Sequence, residues 1–84
     1  MQVIMAIAQK LLEKMRNNPR DWQIEQLEMI ASHYGINVRK PGGSHVVFTH
    51  PQWVELLSIP AHRPIKPIYV KKLLSLINVL RDDQ

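Results

Sequence analysis

Residues 36–49 read Ile36-Asn37-Val38-Arg39-Lys40-Pro41-Gly42-Gly43-Ser44-His45-Val46-Val47-Phe48-Thr49. Apolar and polar residues alternate from Ile36 to Lys40, the pattern of a strand with one buried face. Gly42 and Gly43 then permit the positive φ that a tight reversal needs. The run Val46, Val47 and Phe48 is β-branched and aromatic, which favours a second strand. Strand, glycine turn and strand predict an antiparallel hairpin. Its pleat sorts Ser44, Val46 and Phe48 to one face and His45, Val47 and Thr49 to the other. With Val46 and Phe48 joining Ile36 and Val38 in the core, His45 goes to the outer face, which Arg39 shares. Histidine has its unperturbed pKa near neutrality, so a reachable imidazole there is a candidate for acid–base chemistry. Ser44 is expected to point inward or to bond the turn, and so to fix where His45 points.

Toward the N-terminus, Asp21 is expected to cap a helix that runs through Tyr34, with Gly35 as its left-handed stop. Ile24, Leu27, Ile30, Ala31 and Tyr34 share one face of that helix, and Trp22 and Met29 fall on the other. The broad stripe is expected to face the sheet and the narrow one to seat an earlier helix. His33, in the last turn, complements the helix dipole. The earlier helix spans Val3 to about Asn17, because Ile4, Ile7, Ala8, Leu11, Leu12 and Met15 recur at three- and four-residue spacing. Asn17-Asn18-Pro19 ends it. Lys10, Glu13 and Lys14 make its polar face mixed rather than basic, which favours packing on the domain or on a partner chain over a membrane surface.

Toward the C-terminus, His50-Pro51-Gln52 is a turn with an exposed histidine, since proline cannot continue a central ladder. Trp53 to Ile59 is expected to form the third strand of an antiparallel meander. Pro60-Ala61-His62-Arg63-Pro64-Ile65-Lys66-Pro67 is a rigid basic loop, and Pro67 fits the first turn of a closing helix. Val70, Leu73, Leu74, Ile77 and Leu80 make one stripe on that helix. The expected order is α-α-β-β-β-α, an α+β fold with helices on one face of a three-stranded antiparallel sheet. Residues 1–19 form an N-terminal helical extension and residues 20–84 the body, within one compact domain.

Composition bounds the chemistry. The chain has 84 residues, 45% of them hydrophobic, enough for one modest core without staples. It has no cysteine, which removes disulfides and thiolate zinc sites and fits a reducing compartment. No apolar run approaches the roughly 18 residues that a membrane span needs. Met1 to Ala8 lacks the basic start and small-residue cleavage site of a signal peptide, so a cytoplasmic protein with no membrane association is expected. The net charge of +4 is unevenly spread. Residues 1–34 are neutral overall, whereas residues 35–72 carry Arg39, Lys40, Arg63, Lys66, Lys71 and Lys72 against the single acid Glu55. This basic excess surrounds the glycine turn and points to a polyanionic partner.

The four histidines are spaced by 12, 5 and 12 residues. None shares a helix face with another at i, i+4, and no paired carboxylate joins them, so neither a metal nor another cofactor is expected. Ser44 and His45 are adjacent on a strand and point to opposite faces, which rules out a shared hydrogen bond of the hydrolase type. Metal-free RNA cleavage asks for less. A base takes the 2′-hydroxyl proton, an acid protonates the leaving 5′-oxygen, and cations stabilise the charge gathering on phosphorus. His45 among Arg39, Lys40, Arg63 and Lys66 meets that requirement by residue type.

Gly43-Ser44-His45 followed by Val47 and Phe48, then Ile59-Pro60-Ala61-His62, then a helix from Ile68 to Leu80, resembles the HicA family of toxins. These are small mRNA interferases, also called the YcfA type, on a fold like the double-stranded-RNA-binding domain. The resemblance covers roughly residues 22–80. It implies ribosome-independent mRNA cleavage, growth arrest when unopposed, and neutralisation by a HicB-type antitoxin covering the active histidine, which corresponds to His45. Gly43 and Ser44 are expected beside the substrate, with Arg39, Lys40, Arg63 and Lys66 as the surrounding cations. His62 is expected to orient the loop by bonding backbone, with a second acid–base role as the alternative. Two features depart from the family. A proline-rich Arg63-Pro64-Ile65-Lys66-Pro67 replaces a glycine common in its loop, and the helix before Asn17 lies ahead of the usual start, as a dimer or antitoxin contact. The competing expectation is a non-catalytic RNA-binding module of the same fold.

Overall fold

The computed structural model describes residues 2–82. Their elements run α1 (Gln2–Asn17), α2 (Ile24–His33), β1 (Asn37–Arg39), β2 (His45–Thr49), β3 (Leu57–Pro60) and α3 (Pro67–Asp82). This is the α-α-β-β-β-α order of an α+β fold. The strands form one antiparallel sheet in the order β1-β2-β3, with β2 in the centre.

The register explains which face is buried. Val38 opposes Phe48, Val46 opposes Ile59, and Phe48 also opposes Leu57. Val46, Phe48, Leu57 and Ile59 are buried in the core, and Val38 packs against it. The alternate positions Asn37, Arg39, His45, Val47, Thr49, Ser58 and Pro60 lie on the other face, and none of them is buried. All three helices contribute to the covered side: Leu12 and Met15 from α1, Leu27 and Ile30 from α2, and Val70, Leu73, Leu74, Ile77 and Leu80 from α3. Full burial of one such side chain stabilises by about 1.5–3 kcal/mol, so the shared core holds the layers together.

On α1, Ala8, Leu12 and Met15 are buried and Leu11 is half-buried, whereas Ile7 is exposed; the Ile4 side chain lies outside the described residues. The Arg16 guanidinium donates a hydrogen bond to Oδ1 of Asn78 and ties α1 to α3.

Helix α2 starts later than the Asp21 reading predicts. Asp21 takes φ +66°, a left-handed turn conformation that Asp tolerates better than most residues and that no N-cap adopts. The helix begins at Ile24, where the Gln26 side chain accepts the Gln23 N–H at 2.9 Å. Trp22 is therefore not on the helix, and Met29 is exposed, so the expected Trp22–Met29 seat for α1 does not exist. The other end matches expectation. Gly35, at φ +73°, donates to the Ser32 carbonyl and Ile36 N–H to that of Ala31, a Schellman stop.

The third strand is shorter than Trp53–Ile59. Only Leu57–Pro60 pairs: the register sets Leu56 opposite Thr49, the last residue of β2, and residues 53–55 opposite the His50–Gln52 turn, where no strand continues. Residues 50–53 close a turn instead, with Trp53 N–H bonded to the His50 carbonyl at 3.0 Å. No helix among the described residues is long and apolar enough to cross a membrane.

Candidate functional site

His45 is the first residue of β2, and the turn before it sets its position. Gly42 and Gly43 have φ +111° and +78°, so both occupy conformations that a side chain would strain. The chain leaves that turn with His45 exposed on the uncovered sheet face and Val46 in the core. Opposite His45 stands Pro60. One step on, Ala61 N–H donates to the Ser44 carbonyl at 2.6 Å, which makes 44–61 a hydrogen-bonded pair and 45–60 a non-hydrogen-bonded one. Proline lacks an N–H, and at a non-hydrogen-bonded position of an edge strand the ladder loses nothing by it. Such pairs also bring their side chains closer, so the Pro60 ring is the rigid neighbour of the His45 side chain.

Arg39 opposes Val47 and is therefore the diagonal neighbour of His45 on β1, exposed on the same face. His62, two residues beyond Pro60, is exposed at this end of the sheet. Ser44 is also exposed, so of its two expected placements, inward or in the turn, the inward one does not hold; it lies in the turn just before β2, and its carbonyl, through Ala61, is what holds the turn to β3.

The remaining cations are placed differently. Lys40 Nζ lies 3.0 Å from Glu28 Oε1, and Arg63 Nη2 lies 3.5 Å from Glu25 Oε2. Both pairs reach toward α2, away from the Arg39–His45 face. The Lys40 and Arg63 side chains keep 64% and 70% of their exposure, so the charges still face solvent and can be shared with an incoming anion. For Arg39 and Lys66, no ion pair forms among the described residues. In the sequence, Glu25 and Glu28 show only as two acids one turn apart on α2, in the neutral half of the chain, which does not mark them as partners of the basic segment.

The loop that carries His62, Arg63 and Lys66 is anchored at one residue. Ile65 is 1% exposed and donates its N–H to the Trp22 carbonyl at 2.8 Å. Trp22 in turn donates its indole N–H to the Asn18 carbonyl at 2.6 Å. The α1–α2 link and the basic loop thus hold each other.

His50 is half-buried rather than simply exposed. Its Nδ1 accepts the Gln52 N–H at 3.0 Å, and its ring centroid lies 5.8 Å from that of Trp53. It is a turn-forming residue at the far end of β2 from His45. His33 is exposed in the last turn of α2. Among the described residues, no group of three or more His, Asp or Glu side chains is placed to hold a metal ion.

Chemically, the arrangement is one solvent-facing imidazole on an open sheet face, with a guanidinium diagonal to it and further cations at its margin. It can exchange a proton with a bound polyanion and neutralise phosphate charge. Comparison with models of protein families, with curated proteins and with solved structures found no match for the chain.

Proposed function

We propose that the protein is a metal-independent endoribonuclease that cuts single-stranded mRNA with His45 as its acid–base residue. The observation that carries this reading is the placement of His45: exposed at the glycine turn, backed by Pro60 and diagonal to Arg39 on an uncovered sheet face. In the reaction, His45 takes the proton of a 2′-hydroxyl, the oxygen attacks the adjacent phosphorus, and the bond to the 5′-oxygen breaks. The products are a cyclic phosphate and a 5′-hydroxyl, the latter completed by a proton from water or from His62. Arg39 and Lys66 hold the phosphate, with Lys40 and Arg63 released from their glutamates to join them. Gly43 leaves room for the backbone of the substrate to approach, since nothing lies within 4 Å of where its Cβ would stand.

The resemblance of Gly43-Ser44-His45 and Ile59-Pro60-Ala61-His62 to HicA toxins supports the same reading. On it, the protein is the toxin of a toxin–antitoxin pair in the cytoplasm, silenced when a HicB-type protein covers His45. The test is cleavage of a single-stranded transcript by purified protein in EDTA, and its loss in His45→Ala at an unchanged melting temperature. Cleavage by that variant at the parental rate overturns the assignment.

One observation favours the second reading, a non-catalytic RNA-binding module. Among the described residues no hydrogen bond orients the His45 imidazole, whereas a general base is commonly held by a third group. Salt-sensitive RNA binding with intact product would select it.

A further inference from the structure

Six large apolar side chains are exposed among the described residues, and four of them, Val54, Leu56, Ile68 and Val79, line a single groove of about 710 Å³. Val54 is fully exposed, and Leu56 and Ile68 retain 59% and 58% of their accessible surface. The groove runs between α3 and the irregular stretch before β3, the stretch that the sequence pattern reads as strand and that the structure leaves unpaired. Exposing bulky aliphatic groups side by side is unfavourable, and concentration in one concavity is the mark of a binding surface rather than of scattered surface residues.

Helix α3 is amphipathic on two sides. Val70, Leu73, Leu74, Ile77 and Leu80 face the core, while Ile68, Lys72, Ser75 and Val79 recur at spacings of four, three and four on the groove side. That second stripe spans the 12 residues from Ile68 to Val79, roughly 16 Å of helix, the length over which a partner helix of three turns makes contact. Lys71 and Lys72 line the same groove, opposed by one acid, Glu55.

We propose that this groove seats an amphipathic helical segment of a partner protein, apolar on its buried face and acidic along its margins. The charge excludes a second copy as the favoured occupant, because a chain of net charge +4 would bring a further pair of lysines against the first. The side-chain type disfavours RNA, whose single-stranded sites stack bases on exposed aromatic rings: the exposed apolar groups here are aliphatic, and Trp53, the one aromatic ring in the lining, is half-buried. The surface is distinct from the candidate catalytic one. It adjoins the Thr49 end of β2, four residues and roughly 13 Å along the strand from His45. A partner docked there leaves His45 open, so this contact acts by tethering rather than by covering the site, and it holds whether or not the protein cuts RNA.

The test is a titration of isotope-labelled full-length protein, followed by NMR, with a synthetic peptide of about 18 residues carrying Leu at i, i+3, i+4 and i+7 and Glu on its margins. A scrambled peptide of the same composition, a version with Lys for Glu, and a single-stranded oligoribonucleotide are titrated in parallel. The expected result is saturable shifts confined to residues 52–57 and 68–79 with the acidic amphipath alone. A Leu56→Glu/Val79→Glu variant should weaken its binding by about tenfold or more, and Lys71→Glu/Lys72→Glu, which leaves the four exposed aliphatic groups in place, by about tenfold. No saturable shift at these residues overturns the proposal. So does equal binding of the scrambled peptide, stronger response of the groove to the oligoribonucleotide, or concentration-dependent dimerisation that perturbs the groove without peptide.

Discussion

The backbone N–H of Ala61 donates to the carbonyl of Ser44 at 2.6 Å, so the residue before His45 is clamped to the residue before His62. This bond extends the β2–β3 ladder one step past the His45–Pro60 pair and locks the exit of the glycine turn to the entrance of the basic loop. Both histidines are therefore carried by backbone that is hydrogen-bonded at their root, while the imidazoles themselves stay in solvent.

Replacing His45 with alanine should leave the fold intact, because the side chain is exposed and covers no core residue. Cleavage of a transcript in EDTA should fall by about 10²–10⁴-fold, the usual contribution of a general acid–base group. Gel-resolved cleavage rates alongside thermal melts check both halves of the expectation.

Gly43→Val should cost about 1–2 kcal/mol in urea unfolding, because φ +78° forces a β-branched residue into the left-handed region. Space is not the cause, since no atom lies within 4 Å of the position its Cβ would take. A smaller loss for Gly43→Asn, which tolerates that conformation, separates strain from lost contacts.

Ile65→Ala should destabilise by about 2–5 kcal/mol through the cavity it leaves, whereas its exposed neighbour Lys66→Ala should not change stability measurably. Equilibrium denaturation of the two variants reads the contrast. Equal stability would mean that the loop is not anchored where the Ile65–Trp22 hydrogen bond places it.

Lys40→Ala should lower the melting temperature more than Arg63→Ala. The carboxylate left behind by Lys40 is Glu28, whose side chain is only 19% exposed and whose Oε2 is buried without a partner. Glu25, left by Arg63, is 62% exposed and water solvates it. Adding Glu28→Gln to Lys40→Ala should recover part of the loss, as measured by paired thermal melts.

Arg39→Gln should weaken binding of a single-stranded oligoribonucleotide and reduce the slope of log affinity against log salt by about one phosphate contact. Fluorescence anisotropy at several salt concentrations gives that slope. An unchanged slope would remove Arg39 from the interface.

Much of this was legible in residues 36–49, and the reason is local. Strand alternation, the glycine pair and the β-branched run each depend on a few neighbouring residues, and they assign His45 to the open face as the structure does. Asp21 was not legible in the same way. Asp suits a helix cap and a left-handed turn alike, and here the chain turns at Asp21 so that the Trp22 carbonyl can accept from Ile65, far away in sequence. Trp53–Ile59 reads as a strand by composition, yet pairing needs a partner, and opposite residues 53–55 the chain is already turning at His50–Gln52.

The order of elements, the core stripe of α3 and the face on which His45 lies follow from periodicity and turn chemistry, which act between near neighbours in the chain. The pairing of Lys40 and Arg63 with Glu28 and Glu25, the anchoring of the basic loop at Ile65, and the meeting of Val54 and Leu56 with α3 across a groove emerge on folding alone. Those are contacts between distant segments, fixed by how the helices settle on the sheet, and no local pattern encodes them.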